Sequence, residues 1–149
     1  MTFKEAVYNY CLKVVDDKIA HLQRALIDLR ESASNETKST AGDKHETALA
    51  MLQIEQENTN KQLANVLAQK SVIERIVPVI QSTQVVNGSL VKTNKGYLFV
   101  SIALGKVIVD NIPVIALSPQ SPLGLKLVGL RVNEAAEVNG VKYIIESIE

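Results

Sequence analysis

Apolar residues recur every three or four positions through most of the first half of this 149-residue chain, and that repeat limits the fold more than any other feature. Tyr8, Leu12, Val15, Ile19, Leu22, Leu26 and Leu29 alternate spacings of four and three. A mean period of about 3.5 holds one stripe of a helix against a partner along its whole length, as in a left-handed coiled coil. From Ser32 to Gly42 the chain is Ser, Thr, Asn, Ala and charge without apolar period, which predicts a turn region. Leu49, Leu52, Leu63, Val66, Ile73 and Val77 then resume the alternation, with Gln56, Thr59 and Lys70 standing where apolar residues are expected. Two antiparallel helices joined by a short polar connection can bury such seams against each other. Arms of roughly 30 residues, at a rise of 1.5 Å per residue, make a rod about 45 Å long. Closed within one hairpin, the seam leaves the chain a monomer; the same seam could instead close between two chains as a dimerisation coil.

The pattern changes near Pro78. All four prolines and six of the seven glycines lie from there onward, among many Val and Ile residues. The chain is therefore expected to be α+β, with a coiled-coil hairpin over residues 1–77, its tip at about 32–46, and a small strand-rich domain over 78–149. Expected strands are Val85–Val86 before the Asn87-Gly88 turn, Ser89 to Thr93, Tyr97 to Leu104 after the Asn94-Lys95-Gly96 turn, Lys106 to Val109, and Val114 to Leu117. Glu137 to Val138 and Val141 to Ile145 flank Asn139-Gly140, a favoured hairpin dipeptide. Leu123 to Val128, ending at Gly129, reads as one short helix. The expected sheet is antiparallel.

Lys+Arg and Asp+Glu balance at 16 each. Non-specific nucleic-acid or anionic-membrane binding needs a basic excess, so such chemistry would come through a partner or a local site. There is no Trp and only 4% aromatic residues, so the core is aliphatic. The one cysteine, Cys11, lies in a helical pattern and reads as a small buried hydrophobe, because no His or Asn accompanies it as nucleophilic chemistry would need. Lys4 and Glu5, followed by regularly spaced polar residues, do not read as a signal peptide. No apolar run approaches the roughly 20 residues that span a bilayer. The expected location is cytoplasmic.

Two local motifs accompany this order of parts. The first, Gly42-Asp43-Lys44-His45-Glu46-Thr47-Ala48, resembles the Gly-Asp-x-x-Glu-Asn-Ala segment at the hairpin tip of Gre-type transcript-cleavage factors. The second, Ser121-Pro122-Leu123-Gly124-Leu125-Lys126-Leu127-Val128-Gly129, is similar to that family's Ser-Pro-(aliphatic)-x-x-x-Leu-(aliphatic)-Gly segment. A closing hairpin with Val138, Tyr143, Ile144 and Ile148 extends the likeness over nearly the whole chain. This sequence departs from the family at Thr47, in place of Asn, and at Ala50, in place of Tyr.

The resemblance implies a hairpin that enters the secondary channel of RNA polymerase. Asp43 and Glu46 would there help hold a second Mg²⁺ and promote hydrolysis of backtracked nascent RNA. The enzyme in that case is the polymerase, and the chain only stimulates it. Mg²⁺ is commonly held by one or two carboxylates together with substrate phosphates and water, so the isolated chain is expected to be metal-free. The resemblance also implies an FKBP-like C-terminal domain that docks at the channel rim, with Ser121, Pro122, Gly124 and Gly129 as a structural turn near the docking surface.

Simpler roles compete with these. Asp-x-x-Glu at a helix start is also a capping arrangement, and a carboxylate that accepts helix N–H bonds stays ionised in either role. Lys38, Lys44 and Arg30 could meet RNA phosphate or acidic channel walls, or form a solvated face. His45 has no second ligand spaced for zinc and reads as a solvated tip residue; His21 reads as a flank of the seam.

Overall fold

The computed structural model describes residues 1–37 and 42–149, with side chains described for 1–35 and 46–149. Elements run α1 (Phe3–Thr37), α2 (Gly42–Glu74), β1 (Leu90–Thr93), β2 (Gly96–Val100), β3 (Gly105–Val109), β4 (Ile112–Leu117), α3 (Pro122–Leu127), β5 (Ala135–Val138) and β6 (Val141–Ile148). The described chain is α+β and forms two compact units, one of Val14–Lys70 and one of Met1–Lys13 with Ser71–Glu149. Among the described residues no helix is long and apolar enough to cross a membrane.

In the Val14–Lys70 unit the two long helices pack along the expected seam. Val15, Ile19 and Leu26 are buried on α1, with Leu22 and Leu29 half-buried between and beyond them. The half-buried positions on α2 include Leu49, Leu52, Gln56, Thr59, Leu63, Val66 and Lys70, an unbroken four-and-three alternation that takes in all three polar intruders. Half-burial explains their presence, since a polar end that still reaches water avoids most of the cost of desolvation. Lys70 Nζ also meets Asp16 Oδ1 at 2.8 Å across the pair. The helices run further toward each other than the sequence suggests: α1 continues to Thr37, where a turn is expected from Ser32. Ser, Asn and Thr cost only tenths of a kcal/mol each in a helix, and Ala33 keeps a half-buried place on the seam.

The second unit holds the start of α1, the end of α2 and the sheet. Thr2 and Glu5 cap α1 reciprocally, with Glu5 N–H donating to Thr2 Oγ1 at 3.1 Å and Thr2 N–H to Glu5 Oε2 at 3.4 Å. A six-stranded sheet follows, in the order β3-β4-β2-β1-β6-β5. It is mixed rather than antiparallel, because β2 and β4 pair in parallel from Tyr97↔Val114 to Val100↔Leu117. The chain leaves β2 through residues 101–104, runs out along β3 and folds back at Asp110-Asn111, whose φ of 52° and 63° suits a tight hairpin. The returning β4 then lies beside β2 in the same direction.

Expected strand Val85–Val86 is not one. Val85 instead clips to the segment after α3, its N–H donating to Leu130 O at 2.9 Å and its carbonyl accepting from Gly129 N–H at 2.8 Å. Its side chain joins the main core, with Val91, Leu98, Val100, Leu117, Leu127, Ala136 and Ile145. Phe99, between Leu98 and Val100, points to the opposite face and is also fully buried, so β2 is covered on both sides.

Cys11 is fully buried, and burial pushes its thiol up from the usual 9.0 to about 11. Unfolded chains ionise first, so the folded state binds the extra proton between those values. The resulting stabilisation is complete below pH 9 and disappears as pH rises through about 11, a loss of roughly 2–3 kcal/mol. Urea unfolding at pH 8 and pH 11 should show this loss in the wild type, and the difference between wild type and Cys11→Ala should shrink by that amount at the higher pH.

Candidate functional site

α2 begins at Gly42, so Asp43 and Glu46 both lie in its opening turns, at the end of the helical unit where the two helices are joined. Three residues apart, they occupy neighbouring positions on one helix face. Glu46 is exposed. The side chains of Asp43, Lys44 and His45 lie outside the described residues, as does Lys38 altogether. Arg30 is exposed on α1, and Thr47 and Ala48 follow Glu46 along α2.

Two carboxylates on one helix face provide a small part of the octahedral shell that Mg²⁺ requires. Among the described residues no group of three or more His, Cys, Asp and Glu side chains converges. Of the pair, Glu46 presents an exposed carboxylate at this end of α2.

The remaining sequence candidates lie in the sheet-containing unit, where the structure gives them definite mechanical roles. Ser121 is the N-cap of α3: its Oγ accepts from Gly124 N–H at 3.1 Å and donates to Ser118 O at 2.6 Å. Pro122 takes the first helical position, where its missing N–H costs nothing. Gly124 is buried so closely that a Cβ would collide with the Ser118 carbonyl oxygen. Gly129 has φ +90° and turns the chain into its clip with Val85. Within this rigid turn Leu125 is 67% and Val128 44% exposed, so the motif itself displays apolar surface. His21 is exposed and lines an open groove of about 500 Å³ between α1 and α2 with Asp17, Lys18, Gln62 and Asn65.

Lys4 carries chemistry that a reading by motif passes over. It occupies the buried stripe of α1 with Val7 and Cys11, is only 4% exposed, and donates from Nζ to Ile80 O at 2.7 Å. Burial lowers its pKa, partly offset by the negative charge of Glu149. The signal available in the sequence is a lysine in phase with that stripe.

No protein-family model, curated protein or solved structure matches the chain.

The turn geometry gives a graded outcome. Ser121→Ala should cost about 1 kcal/mol, the usual value of an N-cap. Gly124→Ala should cost more, about 1–3 kcal/mol, because a backbone carbonyl must move. Urea denaturation of both variants measures this, and equal midpoints would place the collision elsewhere.

Proposed function

We propose that this chain is a Gre-type factor that inserts the joined end of its α1–α2 hairpin into the secondary channel of RNA polymerase and stimulates cleavage of backtracked RNA. The observation that carries the reading is the pairing of a long two-helix seam with Asp43 and Glu46 in the opening turns of α2. Support also comes from the order of the parts, a helical hairpin followed by a mixed sheet with one short helix, which we read as FKBP-like. On this reading the chain acts as a monomer in the cytoplasm, and it touches nascent RNA only through the polymerase.

Asp43 and Glu46 would hold a Mg²⁺ jointly with polymerase carboxylates and RNA phosphate. A metal so held stabilises the attacking and leaving oxygens of phosphodiester hydrolysis. The protein's own contribution is positional. A helix keeps two carboxylates in fixed relation, and the seam makes that helix stiff enough to present them. Exposed Leu125 and Val128, held within the rigid Ser121–Gly129 turn, would form part of the docking surface at the channel rim. Lys38, Lys44 and Arg30 would lie near RNA phosphate or acidic channel walls.

Thr47 and Ala50 favour a second reading, in which the chain occupies the channel without stimulating hydrolysis. One assay separates the two. Added to stalled, backtracked complexes, the wild type should shorten the RNA, and Asp43→Asn with Glu46→Gln should slow shortening roughly 100-fold or more, as loss of a metal worth several kcal/mol implies. Equal shortening by both proteins would contradict the role of the two acids. No shortening by either, together with displacement of an active cleavage factor, would establish the occupying role instead.

A further inference from the structure

Lys4 opens onto a cavity of about 210 Å³ within the sheet-containing unit, whose polar lining includes Arg75, Ser82 and Asn87. The walls are Ile76, Val77, Ile80, Val86 and Gly88, and no Asp or Glu is among the lining residues. Gly88, at φ +97°, lies so close to Ile76 that a Cβ would stand 2.9 Å from Ile76 Cγ2. The wall is therefore tight, and Gly88 N–H anchors it by donating to Val100 O at 2.6 Å.

Both charged side chains among the lining residues, Lys4 and Arg75, are cationic. An ammonium has three N–H groups, and Lys4 uses one of them, on Ile80 O. Ser82 Oγ accepts from Gln84 N–H at 3.3 Å, which leaves its own hydroxyl hydrogen to donate. Among the described residues the Arg75 guanidinium has no ion-pair or hydrogen-bond partner. Burying a cation without an anion is costly, and Glu149, the acid whose charge reaches Lys4, forms no ion pair with it within 4 Å among the described residues.

We infer that this cavity is a binding site for a small oxyanion of the phosphate type, held by Lys4 Nζ, the Arg75 guanidinium and the Ser82 hydroxyl. At about 210 Å³ the cavity lies below the roughly 300–1,000 Å³ of drug-sized ligand sites and has room for a small anion with water. Lys4 lies on α1, Arg75 directly follows α2, and Ser82 belongs to the irregular segment before β1. A bound anion would therefore tie three separate stretches of this unit together. The site is independent of the acids at the start of α2, so neither proposal depends on the other.

The test uses the full chain and inorganic phosphate. Thermal unfolding is followed while potassium phosphate replaces potassium chloride at constant ionic strength, beside matched series in sulfate and acetate. A saturable rise in Tm is expected with phosphate, lost or weakened at least tenfold in apparent affinity in Arg75→Gln, an exposed position where folding should persist. As a second readout, ¹³C NMR titration of Lys4 Cε should show its ammonium becoming less acidic when phosphate is present. A Tm response equal to that in chloride, or one that persists in Arg75→Gln, overturns the assignment. So does a Lys4 titration that phosphate leaves unmoved.

Discussion

Helix-to-helix packing along one narrow seam is the constraint on which the Val14–Lys70 unit depends. Two helices offer each other only one face, so stabilisation is concentrated in a few aliphatic side chains. Burying each Val, Leu or Ile there is worth roughly 1.5–3 kcal/mol, whereas an exposed ion pair such as Asp16–Lys70 adds about 0–1 kcal/mol. Val15, Ile19 and Leu26 supply buried α1 positions, and α2 answers with half-buried ones. A seam of this kind tolerates Gln56 and Thr59 because water still reaches them.

The sheet-containing unit gains its rigidity by different means. Core side chains cover both faces of β2, and local hydrogen bonds lock the surrounding loops. Asn94 illustrates this: its amide donates to Lys142 O at 3.2 Å and its carbonyl accepts from Ile144 N–H at 2.7 Å, so one side chain extends the pairing beyond the end of β1. Ser121 and Gly124 do the same for α3. The residues of the Ser-Pro motif are thus accounted for first by backbone geometry, and any docking role belongs to the exposed Leu125 and Val128 that this geometry displays.

Periodicity makes the helices legible in the sequence, down to the polar intruders on the seam, because a 3.5-residue repeat is a direct statement about which side chains share a face. The turn is narrower than the sequence suggests because Ser32 to Thr37 carry weak helix formers whose cost is small beside the helix they extend. Strand positions were mostly visible from Val, Ile and Gly punctuation, yet the parallel pairing of β2 with β4 was not. Pairing direction arises from the path of residues 101–104, which have no local signature. Val85–Val86 looked like a strand since β-branched residues suit any buried extended segment, and only the clip to Gly129 and Leu130 shows what that segment does. Spacing brought Asp43 and Glu46 together on one face, while their chemistry stayed open because a helix cap needs the same residues. Lys4 carried no motif, and its character emerged only from the burial around it.

The central claim, that the joined end of the hairpin reaches the catalytic centre of RNA polymerase, is tested most directly by proximity. A photo-crosslinking amino acid replaces Glu46, and a second protein carries it at exposed Gln53 further along α2. Each is irradiated with backtracked complexes whose RNA is labelled at the 3′ end. The account predicts label transfer to the protein from position 46 and little or none from position 53. Absence of transfer from position 46 in complexes that demonstrably contain the protein would contradict it.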